Sequence, residues 1–437
     1  MNASANLDVA AGRHDIRLKG CFSDPLLNVM NFLNEVVIEY PSAISFAPGR
    51  PFESLFSVDR HLTGIERYVE AMGAQSSRAA AAVWQELGQY GRTNGVIADR
   101  IAAHLLADEG IHVDAGSIMV TVGAQEAMTV LLAGLFDPRQ DVLLVSDPTY
   151  VGITGMARIL GIRVVGVPSS DGGLDPSAVE AAIIDASRSG RVRALYDIPD
   201  FNNPLGSCLS LTDRHRLLDV CRRHDVLIFE DNAYGMFAYD GERAPTLKAL
   251  DQSGTVVYIG SFSKTLFPGL RVGFLVADQT VWPGGETLAK ALSSVKSLIT
   301  VNTPPLMQAA VAAVLLGTGG SLEPVVAPKR AQYKMQRDAM LGALARTFSD
   351  LNGLVSWNSP AGGFFLTVTL PFAFGPPELR RCAAEYGVIA CPMQFFCLAS
   401  RRERQIRLSF SYVEPEAIAR GIERLGAFVR AQLADAA

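Results

Sequence analysis

Five short polar segments carry residue types that could do chemistry, and each follows an apolar run. One is Ser261-Phe262-Ser263-Lys264, continuing through Pro268-Gly269-Leu270-Arg271-Val272-Gly273. A lysine in a small, hydroxyl-rich turn beside a partly dry cleft has a depressed pKa and attacks aldehydes. Around it, Ser261, Ser263 and Arg271 are donors suited to a phosphate. A second segment, Glu230-Asp231-Asn232-Ala233-Tyr234, places carboxylates at the end of an apolar strand, where they need a partner. That partner is either a structural cation or a protonated ring nitrogen. In Asp200-Phe201-Asn202-Asn203-Pro204-Leu205-Gly206, proline holds Asn203 extended, so its amide can face the strand ends, although a plain turn has the same sequence. Tyr150 closes Ser146-Asp147-Pro148-Thr149-Tyr150 and is either a partly buried tyrosine or a stacking platform for a planar ring. Gly123-Ala124-Gln125 opens a helix whose free N–H groups and positive dipole end suit an anion, and a tight turn without a ligand fits as well.

The elements that must position these residues are legible as seven β-rich runs: Ser117–Val122, Val142–Val145, Val164–Val167, Val192–Tyr196, Val226–Phe229, Val256–Ile259 and Val272–Val276. Continuous rather than alternating apolar runs fit strands covered on both faces, and the helical segments between them supply parallel crossovers. The expected architecture is a seven-stranded, mostly parallel α/β layer with ligands at the carboxyl ends of its strands. Beyond Thr280, helices at Ser293–Ala313, Pro328–Phe348, Pro377–Tyr386 and Pro415–Leu433 mix with strands at Leu354–Trp357, Gly363–Thr369 and Gln405–Phe410. This order predicts a smaller α+β domain. The expected division is a large domain over 60–300, with 20–59 and 301–437 forming the small one.

Composition narrows the function classes. The chain has 437 residues, 49% of them hydrophobic, which allows a large core. A formal charge of −5 argues against a nucleic-acid partner, since such binders cluster Lys and Arg. Six scattered cysteines form no metal spacing and are expected as reduced, mostly buried thiols. No apolar run approaches the ~20 residues a membrane helix needs. The first twenty residues lack a signal-peptide core, so we expect no membrane partner and a cytoplasmic chain. His14, His61, His104, His112, His215 and His224 all lie outside the polar segments and are expected to be structural or solvated.

Taken together, the Ser261 to Gly273 string, Asn203-Pro204-Leu205-Gly206, Asp231 with Tyr234, and Tyr90-Gly91-Arg92-Thr93-Asn94-Gly95 resemble the fold-type I pyridoxal-phosphate (PLP) enzymes, specifically the class I/II aminotransferases. The resemblance runs from Ile44-Ser45-Phe46-Ala47-Pro48-Gly49 to Arg407-Leu408-Ser409-Phe410. It implies that Lys264 forms the internal aldimine with PLP and that Asp231 pairs with the pyridine nitrogen. It also implies that Tyr234 and Asn203 bond the ring's phenolic oxygen and that Tyr150 stacks on the ring. Gly123, Ala124, Gln125, Ser261, Ser263 and Arg271 would hold the phosphate. Tyr90 would reach the neighbouring subunit's cofactor, giving a homodimer with shared active sites. Arg407, with Gly49 and Asn203, would receive the substrate, an amino acid or 2-oxo acid, by its carboxylate.

Several positions depart from the commoner pattern. Ala124 stands where serine is frequent, Asn232-Ala233 precedes Tyr234, Thr367 stands where an aromatic is often found, and Cys391-Pro392-Met393-Gln394-Phe395-Phe396 replaces a more usual PGxxF. The strings Met30-Asn31-Phe32-Leu33-Asn34-Glu35-Val36, Ala43 to Pro51, Tyr150-Val151-Gly152-Ile153-Thr154-Gly155 and Pro245 to Leu250 are most similar to the 3,5-dihydroxyphenylglycine transaminase group. This implies an aromatic or specialised amino acid and a place in antibiotic biosynthesis. Phe46, Phe52, Phe56, Phe364, Phe395 and Phe396 are candidates to line the substrate pocket, with core packing expected for at least half, and Arg50 is either a contact to a distal group or a surface or interface arginine. Two other readings compete. The same Lys264 and Asp231 would serve elimination, replacement or carbon–carbon bond formation on a quinonoid, for instance with an S-adenosylmethionine-like substrate. A transcription regulator with this domain would need a DNA-binding unit upstream, for which about forty residues before Ile44 are too few.

Overall fold

The computed structural model describes residues 17–24, 27, 29–351 and 353–435. His14, and most of the segment read for a signal peptide, lie outside the described residues.

The large sheet is built from β1 (Ile118–Thr121), β2 (Asp141–Asp147), β3 (Arg163–Ser170), β4 (Gly173–Leu174), β5 (Arg191–Asp197), β6 (Leu227–Asn232), β7 (Val256–Ser261) and β8 (Gly273–Val276). Its order is β1-β8-β7-β6-β5-β2-β3-β4. All seven expected runs are strands. The eighth, β4, is a two-residue edge strand too short to show as a β-rich run. Only β8 and β4 run against the others. Every residue of β1, β2 and β8 is buried, as strands covered on both faces require. Because β1, β2, β5, β6 and β7 share one direction, their carboxyl ends meet along one edge.

Seven helices matter for the site: α1 (Val29–Glu39), α2 (Val58–Ser76), α3 (Ala124–Leu135), α4 (Phe262–Thr265), α5 (Pro305–Gly317), α6 (Glu323–Thr347) and α7 (Pro415–Asp435). The single helix expected over Ser293–Ala313 is broken into Ser293–Ile299 and α5. Pro304 and Pro305 supply no backbone donors and keep the preceding residue extended, so the chain restarts at Pro305. By contrast, α6 begins before Pro328, at a start where Asp108 accepts from the Leu322 N–H at 2.6 Å. Pro328 therefore removes one internal bond from a helix already anchored by buried Val326 and Tyr333.

A four-stranded antiparallel sheet follows, in the order β9 (Ser356–Trp357), β10 (Phe365–Thr369), β12 (Gln405–Ser409), β11 (Cys391–Pro392). Ile44–Ser45 pairs in parallel with Val388–Ile389, which ties the N-terminal arm to this part. One apolar core lies under the large sheet and takes in α5 and Tyr333 of α6. A second covers its other face. A third joins α1, Phe46, the small sheet and α7 with Met340 and Leu344 of α6, so α6 runs from one core into another.

Candidate active site

The carboxyl ends of β1, β2, β5, β6 and β7 open on one cavity of about 380 Å³, closed from the other side by α1 and β12. Lys264 reaches it from α4. That four-residue helix is capped by Ser261, whose Oγ accepts from the Ser263 N–H at 3.2 Å. The Lys264 ammonium donates to the Gly49 carbonyl at 2.9 Å and lies 6.0 Å from the centre of the Tyr234 ring. Burial pushes this amine down to about 8. Arg407 and Arg271 act the same way and Asp231 opposes them.

Asp231 emerges at the end of β6, as a carboxylate forced by an apolar strand into a buried place. Its Oδ2 accepts from the Tyr196 hydroxyl at 2.7 Å, while Oδ1 is buried and has no partner among the described residues. Burial raises the carboxyl to about 6, against the pull of Tyr196 and Lys264. An orphaned carboxylate oxygen in a cavity wall is costly unless a ligand proton meets it. Tyr234 lies near Asn203, and their hydrogen bond works against the rise that burial gives the phenol. Tyr150 also lines the cavity, and its hydroxyl donates to Gln125 Oε1 at 3.4 Å.

The phosphate-type donors gather at the other end. Ala124, Gln125, Ser261, Ser263 and Arg271 all line the cavity. Gly123 lies just behind this wall at φ +76°, and a Cβ there would stand 2.6 Å from Arg271 Nη2. This turn therefore demands glycine, both for its left-handed backbone and for the close approach of the guanidinium. Beneath it, Glu126 accepts from the Val122 N–H at 2.6 Å and from Lys296 Nζ at 2.8 Å, which fixes the start of α3 from below.

Arg407 projects from β12 and is only 5% exposed. Nη1 donates to Asn203 Oδ1 at 2.7 Å, Nη2 donates to the Ala47 carbonyl, and Nε is buried without a partner. Phe365 and Phe396 stack on the guanidinium with their centroids at 4.4 and 4.6 Å. Among the described residues no carboxylate pairs with it, and burial lowers its pKa. A desolvated cation with neutral partners is an incomplete ion pair, and a substrate carboxylate would complete it.

Of the residues expected from sequence, the cavity brings together Lys264, Asp231, Tyr234, Asn203, Arg407, Gly49, Tyr150 and the phosphate-type donors, with Gly123 just behind. It does not bring in Tyr90, which is 82% exposed. Gly49 is required because a Cβ there would lie 2.4 Å from the Phe365 ring. Of the six phenylalanines named for the pocket, only Phe396 lines it. Phe46 and Phe364 lie inside cores, and Phe52, Phe56 and Phe395 pack against them. Arg50 does line the cavity, beside Leu33, Asn34 and Val37 of α1. Sequence reasoning missed Tyr196, Phe365 and these α1 residues. Tyr196 was findable, because parallel pairing sets it against Phe229, two residues before Asp231. The Asn232 departure has a structural role, since its side chain links the Gly235 N–H to the Tyr258 hydroxyl.

Comparison with known proteins identifies the family. The family described as aminotransferase class I and II matches residues 66–425. The (S)-3,5-dihydroxyphenylglycine transaminase of Amycolatopsis orientalis is 45% identical over 417 residues, 95% of this chain and 94% of that one. Among solved structures, an archaeal alanine:glyoxylate aminotransferase superposes with a TM-score of 0.82 at 27% identity, covering 95% of this chain and 98% of its own. The Thermus thermophilus alpha-aminoadipate aminotransferase complexed with N-(5'-phosphopyridoxyl)-L-leucine gives 0.75 at 30% identity, covering 91% and 95%.

Proposed function

The chain belongs to the class I and II aminotransferases, and from that premise we propose that it moves an amino group between an aromatic or otherwise specialised amino acid and a 2-oxo acid, using PLP held covalently by Lys264. The observation that carries this reading is the convergence in one cavity of a depressed lysine amine, a buried carboxylate with an orphaned oxygen, and a buried arginine lacking an anion. These three groups fit an aldehyde, a protonated ring nitrogen and a substrate carboxylate.

When bound, PLP supplies an electron sink for the carbon that loses its proton. The protein residues do the rest. Asp231 Oδ1 would accept the ring N–H and keep that proton in place. Tyr234 and Asn203 would hydrogen-bond the ring oxygen, and Tyr150 would cover the ring face. The N–H groups of Ala124 and Gln125 at the start of α3, with Ser261, Ser263 and Arg271, would hold the phosphate. Arg407 takes the substrate carboxylate in its fork, which orients the α-carbon toward Lys264. Lys264 Nζ, neutral in a sizeable fraction near pH 8, takes the α-proton and hands it on, a role usually contributing ~10²–10⁴-fold.

The likeness to the 3,5-dihydroxyphenylglycine transaminase supports an aromatic glycine as one substrate, and a place in antibiotic biosynthesis is proposed with it. Tyr90 at 82% and Leu298 at 89% exposure support a homodimer in which Tyr90 enters the partner's site, since Gly91 lies against Asn302 and Pro305 beside that stretch. The unpaired state of all six cysteines supports a cytoplasmic location. The division into 60–300 and 20–59 with 301–437 is also a proposal, although α5, inside the second range, packs into the core under the large sheet.

Borohydride trapping followed by peptide mapping should label Lys264, and an amino acid panel that includes aromatic glycines should show conversion to 2-oxo acids. Steady-state turnover retained by Lys264→Ala would overturn the assignment.

A further inference from the structure

A second cavity, of about 370 Å³, lies behind the Lys264 turn, between α2, the end of α5 and the start of α6. Its wall carries Arg60, His61, Arg67 and Lys329 along with Ser57 and Thr318, and no carboxylate lines it among the described residues. Asp59 is exposed on the neighbouring turn and is not part of the wall.

Lys329 is the unusual member. Two other lysines are buried, and each sits on a carboxylate: Lys248 on Asp278 at 2.7 Å and Lys296 on Glu126 at 2.8 Å. Lys329 is buried to the same degree, yet among the described residues its ammonium has only the carbonyls of Thr265 and Leu266, at 2.7 and 2.8 Å. Burial alone pushes it down to about 8. A buried cation with neutral partners is poorly compensated, and charge of opposite sign beside it is strongly favoured. Arg60 and Arg67 project from the same face of α2, and neither makes an ion pair among the described residues. The groups are close enough to act on one another: besides burial, the Lys329 and Arg60 charges hold His61 below its usual range, against the Ser57 carbonyl and Asp59. In a chain of net charge −5, three uncompensated cations around one concavity form a local positive field.

We propose that this second cavity binds a small polyanion, of the pyrophosphate or tricarboxylate class, between Arg60, Arg67 and Lys329. The two arginines meet its oxygens at the mouth and Lys329 meets it at the base. The site stands apart from the cofactor cavity, with the Thr265–Leu266 backbone between them.

The test is calorimetric titration of the full chain, saturated with PLP, with pyrophosphate and separately with citrate. Saturable binding of either below about 1 mM, weakened at least tenfold in Arg60→Gln/Arg67→Gln, is the expected result. The tighter of the two identifies the ligand class. Both arginines are exposed, so this variant retains the fold, and Lys329→Met should weaken binding in the same direction. Absence of saturable binding with both probes would overturn the proposal. So would binding unchanged in the double arginine variant, or binding abolished by Arg271→Gln but kept in that variant, which would place the anion in the cofactor cavity.

Discussion

Replacing Arg407 with methionine separates a ligand-binding role from a structural one. The guanidinium is buried, stacked between two phenylalanines, and among the described residues bonded to Asn203 Oδ1 and the Ala47 carbonyl alone. Removing it forfeits two charge-assisted hydrogen bonds, about 1.5–3 kcal/mol each. It also removes the desolvation penalty of an unpaired cation, itself several kcal/mol. Methionine fills much of the same volume between the rings. These effects nearly cancel, so Arg407→Met should melt within about 3 °C of the parent chain. The substrate side has no such cancellation. A carboxylate about 4 Å from the guanidinium at an effective dielectric near 20 gains about 4 kcal/mol. Losing most of it lowers kcat/KM by about 10²–10³-fold. The contact exists before and during the chemistry, so the loss should appear in KM more than in kcat. Saturation kinetics with an amino acid, beside the matching amine that lacks the carboxylate, is the assay. The variant should be impaired for the acid and unaffected for the amine. A melting temperature many degrees lower with KM unchanged, or an equal loss for both substrates, would refute the reasoning.

Asp231→Asn keeps the shape but cannot hold a ring proton, and should lower kcat by about 10²-fold or more, a loss of some 3 kcal/mol. Tyr196→Phe removes the one hydrogen bond that carboxylate has among the described residues, so cofactor affinity and turnover should fall by roughly tenfold, the worth of one charged hydrogen bond. Addition of PLP to the apo chain, followed by visible absorbance, should speed up as pH rises. The reactive form is the neutral Lys264 amine, and its depressed pKa puts the midpoint near pH 8. A rate that stays flat from pH 6 to 10 would contradict this. Gly123→Ala puts a Cβ 2.6 Å from Arg271 in a left-handed turn and should raise the PLP dissociation constant at least tenfold, about 1.4 kcal/mol. Gly284→Ala meets nothing within 4 Å and should leave that constant unchanged.

What sequence disclosed follows from what is local. Lys264, Asp231, Asn203 and Tyr150 each sit within a few residues after an apolar run, and strand direction alone gathers them along one edge. β4 was lost because two residues have no periodicity, and the break at Pro304 was lost because helical hydrophobicity continues on both sides of it. Tyr196 was hidden inside its own run, where a tyrosine looks like any core residue until register places it beside Asp231. The pocket phenylalanines failed for a related reason: aromatic residues bury large areas and are recruited by cores first. The one that does line the cavity, Phe396, covers the Arg407 guanidinium.

Arg407 shows why the acid end of the cavity is harder to derive than the ring end. The ring end comes from consecutive strand termini of one sheet. The guanidinium instead sits where four distant segments meet. Asn203 follows β5, Ala47 lies in the N-terminal arm, Phe365 belongs to β10, and Phe396 belongs to the turn after β11. That turn is itself fastened to the large sheet. The Phe396 carbonyl accepts from the Thr149 N–H at 2.9 Å, and the Asp147 carboxylate at the end of β2 accepts from the backbone N–H groups of Leu398, Ala399 and Ser400 at 2.9–3.0 Å. Four hydrogen bonds onto one buried carboxylate, counting the Ser400 hydroxyl, make a rigid strap between the two parts. On the proposed function, choosing an amino acid over an amine would depend on the small sheet staying docked against that edge, where these bonds to Asp147 and Thr149 fasten it.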